Sequence, residues 1–148
     1  MILRPASFDD APTLAVLGRE SFCAAFEHLY LPEDLETFLT QAYSQEVVAG
    51  EIAEDAVIHR LAVADEGSRL LGYVKLRAPS PYGEHSDAAN PIALGQLYTQ
   101  PDCTGQGIGA ALFVMVLPLL FGYWAFFRII EMVPANVASL SIVAVPGV

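Results

Sequence analysis

Between Gln96 and Ala110 the chain reads Gln-Leu-Tyr-Thr-Gln-Pro-Asp-Cys-Thr-Gly-Gln-Gly-Ile-Gly-Ala. Three alternating glycines, Gly105, Gly107 and Gly109, remove every side chain from one side of a turn. Backbone N–H groups opening the next helix can then converge on an anion, with the positive end of the helix dipole behind them. The chemistry suited to these residue types is the binding of a phosphate-bearing ligand. A glycine repeat alone is a weak signal, but its setting strengthens it. Leu94 and Leu97 alternate in a strand-like segment, Pro101 breaks that segment, and an apolar helical run follows from Ala110. A glycine-rich turn without a ligand is the alternative reading.

The elements that would position this junction are legible upstream. Ile2 to Pro5 reads as a short strand, and Ser7-Phe8-Asp9-Asp10 supplies a helix start, with Pro12 tolerated in the first turn. Leu14, Leu17, Phe22, Ala25 and Phe26 recur at helical spacing. Pro32-Glu33-Asp34 opens a second helix carrying Leu35, Phe38, Leu39 and Tyr43, its acidic residues matching the helix dipole. Glu46 to Glu54 reads as a further short helix. Leu61 to Ala64 and Leu70 to Leu76 flank a turn and form a β-hairpin. Ala78 to Pro91 is a polar connection, with Tyr82, Glu84, His85 and Asp87, that leads into the strand before the glycines.

Length and composition fit one domain spanning residues 1–148. A formal net charge of −10 with only seven Lys and Arg argues against nucleic acid as a partner and makes a basic amine an electrostatically reasonable one. The same charge also serves solubility. Cys23 and Cys103 are too few and too scattered for a disulfide framework or a metal site, which suits reduced thiols in the cytoplasm. The amino terminus lacks the apolar stretch of a secretory signal.

The strand, the proline and the Gly-x-Gly run resemble the central motif of the GNAT superfamily of acyl-CoA-dependent N-acetyltransferases, with Thr104, Gly107 and Gly109 on its anchor positions. The resemblance implies acetyl-CoA as co-substrate, its pyrophosphate on the loop formed by Gly105, Gln106, Gly107, Ile108, Gly109 and Ala110. Leu97, Tyr98 and Thr99 would line the pantetheine arm, pairing with its amides like an added strand. Thr104 stands where the family carries Arg or Gln, which predicts modestly weaker binding.

More narrowly, Glu20-Ser21-Phe22, Phe26, Pro32-Glu33-Asp34-Leu35 and Tyr43 resemble the first helical region of the polyamine N-acetyltransferase branch. Because these helices overhang the acceptor pocket in that superfamily, Phe22, Phe26, His28 and Tyr30 become candidates for its wall. The alternative for the aromatics is ordinary core, since Phe at four-residue spacing packs inward.

The implied reaction is direct attack of a neutral amine on the thioester. It needs a proton acceptor, a polarised carbonyl and a proton for the departing thiolate. Family members that place a Glu on the coenzyme strand find no match here, where Ala93, Gly95 and Gln96 occupy the positions. Others use a Glu five residues before an Asn, which Glu131 and Asn136 reproduce, so the resemblance makes Glu131 the candidate base and Asn136 a coenzyme contact. From Asn136 the chain resembles the family's helix-to-strand motif through Ala138, Ser139 and Gly147, with Val143 in place of the general-acid Tyr and Val148 in place of a Phe. A valine cannot donate a proton. The family's terminal strands are missing or altered.

Cys103 to Phe127 contains no charged residue. Hydropathy alone makes this a membrane-span candidate, against which stand Pro118, Gly122 and the polar ligand expected at its start. The other readings are an apolar face covered by a partner subunit, as in a homodimer, and residue identities after about Phe113 that stem from a shifted reading frame. Surviving motif spacing with lost amphipathicity favours the last.

The expectation is therefore an α/β (α+β) GNAT fold with a mixed, mostly antiparallel sheet flanked by helices. It would act on a primary amine, namely a polyamine, small amine or peptide, without metal, nucleic acid or membrane. The alternative is a coenzyme-binding or regulatory module of the same fold that has lost turnover.

Overall fold

The computed structural model describes residues 1–65 and 69–119. The chain divides into two compact units, Met1–Val116 and Leu117–Val148, and every element named below belongs to the first. Chain order is β1 (Ile2–Pro5), α1 (Ala11–Phe26), α2 (Pro32–Tyr43), α3 (Gln45–Ala53), β2 (Val57–Val63), β3 (Leu70–Arg77) and β4 (Ala93–Thr99). A last helix, α4, starts at 108 and fills 108–116 of this unit. The strands form one sheet in the order β1-β2-β3-β4, every neighbouring pair antiparallel.

Local chemistry accounts for the element ends. Asp10 closes the turn before α1: its carboxylate accepts from the Ser7 N–H at 2.7 Å and the Ser7 hydroxyl at 2.8 Å, and it pairs with Arg4 at 2.7 and 2.8 Å. Pro12 sits in the first turn of α1 and Pro32 opens α2, where an N–H would have no helical partner. Ser44 caps α3, its hydroxyl accepting from the Val47 N–H at 3.3 Å.

Period two on the strands separates the faces. Val57, His59 and Leu61 of β2 are buried, as are Tyr73 of β3 and, in part, Tyr98 of β4. This face packs under α1 and α3 through Leu14, Leu17 and Val48. A smaller cluster of Phe22, Leu39 and Tyr43 joins α1 to α2 and also touches Tyr98. On the opposite face a Cβ at Gly72 would lie 3.2 Å from both Ile108 and Leu112, which places α4 directly over β3. Leu112 and Val116 are fully buried there.

Two boundaries differ from the sequence expectation. The strand expected from Leu61 begins at Val57, because the polar pair His59 and Arg60 continues the alternation instead of ending it. The helix expected from Ala110 begins two residues earlier, since Gly109 lies within its first turn.

Candidate functional site

The glycine junction forms one wall of a cleft of about 470 Å³ lined by Leu97, Thr99, Cys103, Thr104, Gly105, Gly107, Ile108, Gly109 and Ala110. Gly105 and Gly107 have φ of +83° and +80°, a conformation that strains any residue with a Cβ. Nothing lies within 4 Å of where a Cβ would stand at either, so both face open space. The first α-helical bond of α4 runs from the Ala111 N–H to the Gly107 carbonyl at 3.0 Å. The N–H groups of Ile108, Gly109 and Ala110 therefore have no partner within the helix, and all three residues line the cleft. Three backbone donors thus gather on one cleft, a cradle whose chemistry suits an anion.

The strand wall has a definite polarity. The Gln100 N–H donates to the Leu71 carbonyl at 2.8 Å, and the register pairs Gly72 with Thr99, Tyr73 with Tyr98 and Val74 with Leu97. In an antiparallel ladder bonded and non-bonded pairs alternate. The backbone groups of Tyr98 are thus turned toward β3, while those of Leu97 and Thr99 point to the other edge of β4, where no strand pairs among the described residues. The Ser21 hydroxyl of α1, 8% exposed, donates to the Thr99 carbonyl at 3.1 Å. The remaining groups on this stretch of edge are the N–H of Thr99 and both polar groups of Leu97, a donor-rich row beside the cradle. The register also skips a residue on β4 at Gly95, a bulge just before this row.

Under the sheet, β4 meets a polar network. The Tyr73 hydroxyl donates to Gln96 Oε1 at 2.7 Å, Gln96 Nε2 donates to the Tyr43 hydroxyl at 3.3 Å, and the Tyr43 hydroxyl donates to that of Tyr98 at a weak 3.4 Å. Burial, chiefly, raises both the Tyr43 and Tyr73 phenols, so they stay protonated and act as donors. Gln96 thus joins the tyrosines where a carboxylate on this strand would have offered a base.

Of the expected coenzyme residues, Leu97, Thr99, Thr104, Gly105, Gly107, Ile108, Gly109 and Ala110 come together in the cleft. Tyr98 turns its ring to the opposite face, toward Tyr43 and Tyr73. Gln106 is exposed, with Nε2 3.4 Å from the Asp102 carbonyl. The lining also includes Cys103, which sequence reasoning set aside as an isolated thiol. Burial and the adjacent Asp102 carboxylate push that thiol up, so it is a wall residue and no thiolate. Phe22, Phe26 and Tyr30 do cluster, with ring centroids 5.1 and 5.7 Å from Phe22. Phe22 is core, whereas Phe26 and Tyr30 are 39% and 40% exposed. His28 lies in the short turn Glu27–Leu29 and is exposed. Glu131, Asn136 and Val143 lie outside the described residues. Among the described residues no group of His, Cys, Asp and Glu could hold a metal ion, and no helix is long and apolar enough to cross a membrane.

Comparison with known proteins agrees with this geometry. A family model described as an acetyltransferase (GNAT) domain matches residues 27–120. Spermidine N(1)-acetyltransferase from Thermoplasma acidophilum is 29% identical over 114 residues, covering 74% of this chain and 64% of that relative. The chain thus spans less than two thirds of that protein. The crystal structure of the PaiA N-acetyltransferase from Thermoplasma acidophilum in complex with coenzyme A superimposes with a TM-score of 0.68 at 26% identity, over 82% of this chain and 72% of that one. A GCN5-related N-acetyltransferase from Rhodopseudomonas palustris shares the fold, with a TM-score of 0.62 at 20% identity over 82% and 66% of the two chains. Backbone donors gathered on a glycine turn, a strand edge beside them that no described strand pairs, and a family match over most of the described residues lead to one assignment: the chain belongs to the GNAT acetyltransferase family.

Proposed function

We propose that this protein binds acetyl-CoA in the cleft between β4 and α4 and transfers the acetyl group to a primary amine of the polyamine class. The observation that carries the reading is the cradle of Ile108, Gly109 and Ala110 N–H groups set at the end of a strand whose donor-rich outer edge no described strand pairs. A coenzyme with phosphates at one end and an amide-bearing arm at the other matches both parts. Its phosphates would rest on Gly105 to Ala110, and its arm would run along Leu97 and Thr99. Support for the coenzyme comes from the coenzyme A complex of PaiA, and for the acceptor from the spermidine specificity in the name of the relative.

In the transfer, the amine nitrogen forms a bond to the thioester carbon, the C–S bond breaks, and the amine loses a proton while the sulfur gains one. A free N–H on the β4 edge would hold the carbonyl oxygen as charge develops on it. Glu131 is the proposed base. Phe26 and Tyr30 would form part of the acceptor wall, and the net charge of −10 favours a cationic acceptor in solution. The proposed setting is a cytoplasmic protein that functions alone or as a homodimer. A second reading, coenzyme binding without turnover, draws on the absence of a carboxylate from β4 and on Val143 at the position of the family's Tyr.

Calorimetric titration with acetyl-CoA beside a thiol-release assay over polyamines, aminoglycosides and peptide amino termini tests both. Binding with release on a polyamine is expected. Binding without release on any amine selects the second reading, and no binding by folded protein refutes both.

A further inference from the structure

Coenzyme A brings several negative phosphate charges to a chain whose net charge is −10. The cradle offers only backbone dipoles, and Thr104, at its entrance, carries no charge. A cation to meet them would come from another element, and with Arg128 outside the described residues, six basic side chains can be compared. Four of the basic side chains among the described residues pair with carboxylates outside the cleft. These are Arg4 with Asp10 at 2.7 Å, Arg19 with Glu36 at 2.6 Å, Lys75 with Glu51 at 2.9 Å and Arg77 with Glu54 at 2.9 Å. Arg60 is half-buried and donates to the His59 carbonyl at 3.0 Å. Arg69 is different. The register that sets Gly72 against Thr99, continued by the bond from Gln100 to Leu71, brings residue 69 opposite residue 102. There Arg69 Nη2 pairs with the Asp102 carboxylate, in the turn Pro101–Cys103 that leads into Thr104 and Gly105.

We infer that Arg69 is the cation of the coenzyme site, held by Asp102 on the turn that leads into the glycine cradle and turned onto a ligand phosphate when the coenzyme binds. This rests on the coenzyme reading above. Both partners are solvent-exposed, 54% and 64%, so their pairing adds little to stability and leaves the guanidinium free to re-aim. Among the described residues Asp102 engages one of its five N–H donors. The others suit a phosphate, which guanidinium forks bind in pairs. Asp102 then works against the ligand: it parks Arg69, and its own charge repels phosphate.

The test is the sign of two substitutions on coenzyme A binding, measured by calorimetry at low salt. Arg69→Gln raises Kd about tenfold, the size of one charge-assisted contact. The loss shrinks as salt is added, and Arg69→Lys recovers most of it. Asp102→Asn leaves Kd unchanged or lowers it a few-fold. With S-acetyl-pantetheine, which has no phosphates, as donor, Arg69→Gln leaves KM unaltered. The inference is overturned if Arg69→Gln binds coenzyme A as tightly as the wild type. It is equally overturned if Asp102→Asn weakens binding as much as Arg69→Gln, the result expected of a structural clasp. Failure of the wild-type chain to bind coenzyme A would instead refute the coenzyme reading itself.

Discussion

Gly18→Ala sets two effects of opposite sign against each other. Gly18 lies inside α1, where replacing glycine by alanine ordinarily stabilises by about 1 kcal/mol through helix propensity. A Cβ at Gly18 would stand 2.6 and 2.8 Å from two ring carbons of Tyr43 and 2.9 Å from the Tyr73 hydroxyl. Real Cβ contacts below 3.0 Å essentially never occur, so a ring must move. Neither ring has room: Tyr43 is 5% exposed with the rings of Phe22 and Phe38 at 6.0 and 6.2 Å, and Tyr73 is 3% exposed. Overpacking of this kind costs about 1–3 kcal/mol, and shifting Tyr43 also weakens its bond from Gln96. The clash outweighs the propensity gain, and a net loss of about 1–2 kcal/mol is expected, a drop in Tm of about 3–6 °C for a domain of this size. Gly50, inside α3, has nothing within 4 Å of a Cβ and serves as the control. Gly50→Ala should raise Tm by about 2–3 °C through propensity alone. Thermal and urea denaturation of the three proteins read this directly. A Gly18→Ala variant melting at or above the wild type, with Gly50→Ala behaving as stated, would refute the packing argument.

Gly107→Ala forces a Cβ onto φ of +80° in open space, so it strains the backbone by about 1–2 kcal/mol without a clash. Weaker acetyl-CoA binding is expected together with a drop in Tm of about 3–6 °C from the strain, and tight binding to a folded variant would contradict the cradle. Stability should also fall on mild acidification because of His59. Burial first, then the charges of Lys75 and Arg77, hold its folded pKa at about 4, below the ordinary 6.5, and its Nδ1 is buried without a partner among the described residues. The Glu51 carboxylate, at 3.9 Å, is too far for a hydrogen bond and already pairs with Lys75. The unfolded chain takes up the proton first, so this part of the stability is complete above about pH 6.5 and is lost as pH falls toward 4, on the order of 3 kcal/mol. Urea midpoints across that range should drop for the wild type and flatten for His59→Leu; parallel curves would exclude His59 as the cause.

The chemistry of this fold was legible where it was local. Gly105 and Gly107 announced the turn because positive φ is a property of single residues, Gly109 left bare backbone in the first turn of α4, and the apolar pattern around Leu97 announced the strand. Element order followed from the same kind of signal: Pro32 opening α2, the apolar repeat of α1, the turn before β3. What escaped was what pairing decides. His59 and Arg60 fell outside the expected strand, because only pairing with β1 and β3 along both edges of β2 carries the strand back to Val57. The links among Tyr43, Tyr73, Gln96 and Tyr98 join residues on three elements with no spacing in common. Arg69 became a neighbour of Asp102 only through the register of β3 on β4.

The bond from Ser21 to the Thr99 carbonyl bears on how the protein is made. It joins residues 78 apart, the first helix to the last described strand, so the outer edge of β4 receives this clamp only after nearly the whole of this unit has left the ribosome. Closing a loop of that length carries an entropic cost that grows only as the logarithm of its length, but contacts of such separation form late and slow the folding of the chain. Until Ser21 docks, the Thr99 carbonyl adds to an edge that no described strand pairs, an invitation to a neighbouring nascent chain. A single hydroxyl thus ties the maturation of this edge to the emergence of β4 itself.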